Sequence, residues 1–151
     1  MNKDMSKDMS KEIYGEMVKS ASPSSNVATN CLRAFLVGGT ISVIGQLFHS
    51  IFLRVGFNQD NAGLLTAAVL IVGAILLTAL GLYNKLGNFG GAGSFVPVTG
   101  FANAIAAPAI EHKKEGLVLG VGAKMFVIAG PVIVYGLITS VIVGLFYYFF
   151  R

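Results

Sequence analysis

Three long runs of apolar residues dominate the pattern of the chain, and polar residues close each run. The runs cover 34–53, 62–83 and 129–150, and the second run contains no charged side chain. A helix rises about 1.5 Å per residue, so about 20 residues cross a hydrocarbon core of about 30 Å. The pattern therefore predicts an all-α integral membrane protein with three clear transmembrane helices, in a membrane domain over 26–151.

A charged leader over 1–25 precedes this domain. Its apolar side chains recur every four residues, at Met5, Met9, Ile13 and Met17. Opposite charges three residues apart occupy the other faces. This spacing predicts either a short amphipathic helix or a solvated tail, joined to the membrane domain by a linker at 20–25 that contains proline and serine.

The stretch 95–110 is apolar but contains residues that weaken a helix. It would reach only about 24 Å as a perfect helix. Pro97 and Pro108 remove backbone donors, and Gly100 loosens the chain. The pattern predicts a broken or re-entrant half-helix before the last span. The alternative is a full crossing with local thinning of the bilayer, which would move the loop 111–116 to the other side.

A second half-length element is expected over 116–128. Residues 116–150 would together form a helix of about 52 Å, which exceeds the hydrocarbon core, so this stretch must be split, tilted or extended into water. The glycine run at 86–94 is also not expected to form a stable helix interior. The predicted break points are Gly90, Gly91, Gly116, Gly120, Gly130 and Pro131.

Irregular backbone at membrane depth needs a particular environment. Its free N–H and C=O groups must be buried in protein or face a water-filled cavity, and discontinuous helices build solute sites in many transporters. We therefore expect 95–116 to line a solute path. The candidate residues are Pro97, Thr99, Gly100, Asn103, Pro108, Glu111, Lys124, Gln46 and His49.

Charged residues accompany the broken segment. Lys124 lies in an apolar run, where a cation is costly unless a carboxylate, carbonyl groups, water or an anionic solute faces it. Glu111 and Glu115 are candidate partners within the chain. Alternatively, Lys124 lies near the interface and its side chain reaches the headgroups. The cluster EHKKEG at 111–116 is either an ordinary polar loop or the mouth of a path.

A polar stripe marks one face of the first span. Gln46 and His49 are three residues apart, and Ser42 lies one turn before them. Polar side chains in a transmembrane helix point to other helices or to water. Interhelical hydrogen bonding and permeation are both consistent with this stripe.

Composition limits the classes of function. Of the 151 residues, 54% are hydrophobic and 12% are charged, whereas soluble domains carry about 25% charged residues. The net charge of +4 comes without a basic face or an aromatic-basic module, so no nucleic-acid partner is expected. One cysteine and two separated histidines indicate no metal site. Because no nucleophile–base pair or paired intramembrane carboxylates occur, we expect neither a cofactor nor enzymatic activity.

The distribution of Lys and Arg predicts the orientation. Arg33 and the lysines of the leader mark one end of the first span, and Lys85 lies at the same end after two crossings. Arg54 stands alone at the other end. The positive-inside rule therefore predicts a cytosolic N-terminus.

Two stretches carry a resemblance to a known family. The more specific one reads GSFVPVTGFANAIAAPAIEH over 93–112 and continues as HKKEGLVLGVGAKMFVIAGPVIVYG over 112–136. The other is FLVGGTISVIGQLF at 35–48. Together they make about 30–151 similar to the stage V sporulation protein AC family and its related AE-type membrane subunits.

This resemblance implies a location and a function. Members sit in the spore (forespore) inner membrane and belong to a complex that moves dipicolinic acid, with calcium, during sporulation and germination. The AC-type subunit is associated with a channel that opens under tension. The implied partners are the other membrane and soluble subunits of that complex, and the small residues in the spans favour an oligomer in the lipid bilayer. The alternative function is a non-conducting membrane scaffold that anchors soluble partners of the same complex.

Overall fold

The computed structural model describes residues 11, 13–18 and 25–150. Within 25–150 the α-helices are α1 (Val27–Val55), α2 (Gln59–Ala79), α3 (Leu82–Gly90), α4 (Ala92–Phe95), α5 (Val98–Glu111) and α6 (Ala123–Phe150). A 3-10 turn at Lys113–Glu115 and a π-helical stretch at Leu117–Gly122 connect α5 to α6. The described residues contain no β-strand. The predicted all-α class is confirmed.

Three helices in the described part of the chain are long and apolar enough to cross a membrane. They are Val27–Val55, Gln59–Ala79 and the continuous helix Leu117–Phe150. The predicted number of clear spans is therefore confirmed. In the leader, residues 13–18 are helical, while the earlier part of the predicted amphipathic helix, including Met5 and Met9, lies outside the described residues.

A tight turn joins α1 and α2 into an antiparallel hairpin. Gly56 ends α1 in a left-handed conformation with φ 104°. The Asn58 side chain caps α2 by accepting a hydrogen bond of 2.9 Å from the backbone N–H of Asn61. At mid-height, a Cβ added to Gly45 would lie 3.4 Å from Leu70 Cδ1. The centres of the two helices are therefore in contact.

The second span ends earlier than the predicted 62–83. The chain leaves α2 after Ala79 and turns at Gly81, whose φ is 70°. Glycine adopts this left-handed conformation without strain, so the turn forms inside an apolar sequence. Tyr83 consequently belongs to α3 rather than to the span.

The glycine run at 86–94 is largely helical, and the prediction that it would not form a helix interior was wrong. Helix α3 reaches Gly90, and the only break is at Gly91, which has φ 49°. Packing offsets the low helix propensity of glycine. At Gly93 an added Cβ would overlap the carbonyl of Ala34 in α1, so the missing side chain allows α4 to approach α1 closely.

Helix α5 lies where the half-length element 95–110 was predicted. Pro97 is its N-cap residue and Pro108 lies in its last turn. Prolines at these two places leave most of the helix interior intact. The 14 residues of α5 rise about 21 Å, which is less than the thickness of a bilayer core.

The last helix runs without interruption through Gly130 and Pro131, where a break was predicted, so 116–128 is not a separate element. Pro131 removes only the hydrogen bond to the Val127 carbonyl, and all other backbone groups of an apolar segment are best satisfied by keeping the helix. Every residue over 131–150 is exposed. This end of α6 therefore packs against no other part of the described chain.

Candidate functional site

The Tyr83 hydroxyl holds α3, α4 and α5 together. It donates a hydrogen bond of 2.7 Å to the backbone carbonyl of Ser94 and lies 3.1 Å from Thr99 Oγ1. Tyr83 is 2% exposed and Thr99 is 6% exposed. Because an unpaired hydroxyl in this apolar setting would be costly, the three groups satisfy one another.

A second polar contact joins α2 to α5. The Thr78 hydroxyl lies 2.7 Å from the Ala74 carbonyl oxygen and 2.9 Å from Asn103 Oδ1, and these two acceptors share its single proton. Asn103 is 8% exposed. Apart from Ala74, five residues make these contacts and are here named the buried polar cluster: the half-buried Thr78 and the buried Tyr83, Ser94, Thr99 and Asn103.

Three of the predicted path residues thus lie inside the protein. Thr99 and Asn103 belong to the buried polar cluster, and Gly100 is buried where an added Cβ would overlap the Phe95 carbonyl. In this conformation their polar atoms face other protein groups. Pro97 and Pro108 are half-buried at the two ends of α5.

An apolar cavity of about 380 Å³ lies beside the C-terminal half of α5. Its walls come from α2, α5 and α6 and include Ile71, Ile75, Ile110 and Met125. Because the side chains that line it are all apolar, it offers no hydrogen bonds to a polar solute.

The end of α5 lies at mid-height of the spanning hairpin. Asn103 is opposite Thr78, and Ile110 shares a cavity wall with Ile71, so α5 runs antiparallel to α2. Glu111 lies eight residues after Asn103, which is about 12 Å along α5. Because α2 runs in the opposite direction, the residue at the same level of α2 is Leu70, eight residues before Thr78 and near the centre of this 21-residue helix. The segment Glu111–Glu115, here named the charged turn, therefore begins near the middle of the hairpin.

The charged turn has exposed side chains at Glu111, Lys113, Lys114 and Glu115. His112 is half-buried, and its Nδ1 lies 3.2 Å from the Pro108 carbonyl oxygen. The π-helical stretch packs closely on the turn, because a Cβ added to Gly120 would lie 2.6 Å from the His112 carbonyl oxygen. Helix packing therefore fixes the backbone of the turn while its charges stay exposed.

Lys124 lies one residue before Met125, which lines the apolar cavity. Its side chain is half-buried. Within the described chain, Lys124 forms no ion pair with Glu111 or Glu115, the partners considered from the sequence. The turn and Lys124 together carry three lysines against two glutamates, so this region is weakly positive.

The polar stripe of α1 lies away from these features. Ser42 and Gln46 are exposed and His49 is half-buried. The Gln46 amide lies 3.4 Å from Ser50 Oγ, and the Ser42 hydroxyl donates to the Gly38 carbonyl oxygen at 2.9 Å. The stripe therefore faces outward from the described chain rather than toward α5.

Sequence reasoning missed Thr78, Tyr83 and Ser94. Thr78 and Tyr83 stand among apolar residues at the end of the second predicted span, and polar groups in such a position usually bond to another helix. That signal was present, but it did not identify the partner residues. The partners follow from the turn at Gly81, which brings α3 against α5.

These features define an all-α integral membrane protein in which a half-length helix carries a charged turn to the middle of a spanning hairpin. Residues 30–146 match the family model described as SpoVAC/SpoVAEB sporulation membrane protein, and the chain belongs to this family. It is 49% identical over 139 residues to the stage V sporulation protein AC of Bacillus subtilis (strain 168). The aligned residues make up 91% of this chain and 93% of that protein. No solved structure matches the chain.

Proposed function

We propose that the chain is a subunit of a channel in the spore inner membrane that conducts dipicolinate together with calcium. The observation that carries the proposal is the depth of the charged turn: its exposed glutamates and lysines begin near the centre of α2. An uncovered charge at the bilayer centre costs about 2.5–3.5 kcal/mol on insertion scales. Water in an assembled path, or protein around it, must therefore cover these groups.

The chemistry of the turn suits an anionic solute accompanied by a cation. Lys113, Lys114 and Lys124 attract carboxylates, while Glu111 and Glu115 offer oxygen ligands to calcium. The proposed path therefore lies at the C-terminal end of α5. Thr99, Gly100 and Asn103 act instead as the structural support that holds α5 in place.

Tension provides a physical route to opening. Only the N-terminal half of α5 is held by side-chain hydrogen bonds to the preceding helices, through Thr99 and Asn103. Its C-terminal half borders the apolar cavity, where contacts are non-directional. Thinning of the bilayer changes the tilt of its helices, and we propose that this displaces the end of α5 and the charged turn.

Further subunits complete the proposed path. The apolar side chains over 131–150 are exposed around the whole helix. We propose that copies of this chain or other subunits of the complex pack against this surface. The proposed orientation keeps the N-terminus in the cytosol, because Arg33 and the helix that contains Lys85 lie at the same end of the hairpin.

Flux measurements test the proposal. The full chain is reconstituted in vesicles that contain calcium dipicolinate, and release is recorded after an osmotic downshift. The variant Lys113→Gln/Lys114→Gln should release dipicolinate about tenfold more slowly, at the low end of the range for electrostatic focusing of a charged solute. Lys85→Gln is the matched control, because it removes a cation outside the charged turn, and it should keep the wild-type rate.

The scaffold alternative predicts a different outcome. It is favoured by one observation, namely that the cavity beside α5 in the described chain is lined by apolar side chains. Vesicles that stay tight to dipicolinate under every osmotic condition, while the protein remains folded, would support the scaffold and contradict the channel. Equal release by both lysine variants would remove the charged turn from the path.

A further inference from the structure

A second cavity, of about 450 Å³ and with a mixed polar and apolar wall, lies at the opposite end of α5 from the charged turn. It is formed between the first turn of α1 and the junction of α3 with α4. Polar side chains on its wall are Ser25, Asn30, Cys31 and Asn88, and apolar ones include Val27 and Phe89. The side-chain amides of Asn30 and Asn88 have no hydrogen-bond partner within the described chain.

A cation lies over the ring of one residue of the cavity wall, Phe89. The guanidinium carbon of Arg33 lies 5.4 Å from the centroid of the Phe89 ring. Stacking on a ring uses the face of the guanidinium and leaves its N–H groups available at the edge. Arg33 forms no ion pair within the described chain. The sequence has no acidic residue between Glu16 and Asp60, or between Asp60 and Glu111.

The depth of the cavity limits its ligand. Arg33 immediately precedes the apolar stretch 34–53, so the cavity lies at the boundary between hydrocarbon and water. A phosphate at this depth would meet the Arg33 and amide donors, and the glycerol end of an acyl chain would meet Val27 and Phe89. Basic pockets between transmembrane helices at the cytoplasmic surface suit anionic lipid headgroups.

We infer that this cavity binds the phosphodiester headgroup of an anionic phospholipid. The inference does not depend on the channel proposal, because the cavity and the charged turn share no residue. A free phosphate has the same hydrogen-bonding chemistry but lacks the apolar part that the Val27 and Phe89 wall would cover.

Cys31 provides a native probe, since it is the single cysteine of the chain and lines the cavity. The full chain is reconstituted in phosphatidylcholine vesicles with or without phosphatidylglycerol, and alkylation by membrane-permeant, uncharged N-ethylmaleimide is timed. Phosphatidylglycerol should slow alkylation about fivefold, the factor that one basic residue contributes beside an anionic surface. Equal rates in the two lipids would overturn the inference.

Two further arms identify the ligand and the residue. Inorganic phosphate added to phosphatidylcholine vesicles should leave the rate unchanged, and protection by it would contradict the lipid assignment. Arg33→Gln should abolish the protection by phosphatidylglycerol. Arg54→Gln, at the other end of the same helix, should retain it. Protection that survives in Arg33→Gln would indicate a general surface effect and overturn the inference, and so would equal loss of protection in both variants.

Discussion

Helix α5 and the C-terminal part of α6 (131–150) show opposite relations between polarity and burial. Helix α5 contains threonine, asparagine, glycine and one proline and is capped by another, yet much of it is buried and two of its side chains are hydrogen-bonded to other helices. The 131–150 segment is strongly apolar, yet all of its residues are exposed. The small and polar residues therefore make the interior contacts, and the large apolar ones form the outer surface.

This arrangement follows from the solvent. Lipid chains are as apolar as leucine, so burying leucine or valine between helices gains little in a bilayer. Close packing of small residues and interhelical hydrogen bonds are what hold such helices together. Hydropathy alone consequently identifies the helices but does not identify their buried faces.

The largest effect is expected when a glycine is replaced by alanine in the tightly packed part of the chain and, as a control, in the exposed part of α6. Gly93→Ala should destabilise the chain by about 1–3 kcal/mol, because the new Cβ overlaps the Ala34 carbonyl in α1 and α4 must move. The matched control is Gly136→Ala in α6, where an added Cβ meets nothing within 4 Å. Unfolding in detergent micelles measures both. A similar loss of stability in the two variants would contradict the contrast between the regions.

A tyrosine exchange should have a smaller effect. Tyr83→Phe removes the hydroxyl that bonds the Ser94 carbonyl and lies beside Thr99, and the free energy of unfolding should fall by about 1–2 kcal/mol. Tyr135→Phe is the control, since Tyr135 is 71% exposed on α6, and its effect should stay within about 0.5 kcal/mol. If Tyr83→Phe is neutral, the buried polar cluster does not stabilise α5.

The smallest effect on stability is expected on the outer face of α1. Gln46→Leu removes an exposed amide whose contact with Ser50 is 3.4 Å long, so the stability of the monomer should change by less than about 0.5 kcal/mol. If the polar stripe contacts another subunit, the same variant should lower the oligomeric fraction measured by crosslinking in vesicles. An unchanged oligomeric fraction would mean that the stripe is not part of a subunit interface.

The spanning helices were predictable because long apolar runs have few alternatives in a membrane. The half-length of α5 was also visible, since Pro97 and Pro108 limit how far a helix can extend. Two expectations were wrong for related reasons. Pro131 does not break α6, because one lost hydrogen bond is less costly than many unsatisfied backbone groups. The glycines of α3 and α4 form helix because Gly93 packs on α1.

The position of the charged turn could not be read from the sequence. EHKKEG has the composition of an ordinary surface loop, and its depth depends on the pairing of Asn103 with Thr78. Such a pairing between residues 25 positions apart has no local signal. The contacts of Thr99 and Asn103 could not be read from the sequence for the same reason, because their partners lie on helices that the chain brings together only when folded.

Accessibility of the charged turn to water tests the central claim most directly. In a Cys31→Ser background, Lys113→Cys is compared with Val72→Cys, which is 56% exposed near the centre of α2 and faces outward at a similar depth. A charged, membrane-impermeant thiol reagent is applied to reconstituted vesicles at rest and after osmotic downshift. Lys113→Cys should react in at least one of these states while Val72→Cys remains unmodified in both. A charged turn that stays unreactive in both states would contradict a hydrated path at mid-membrane.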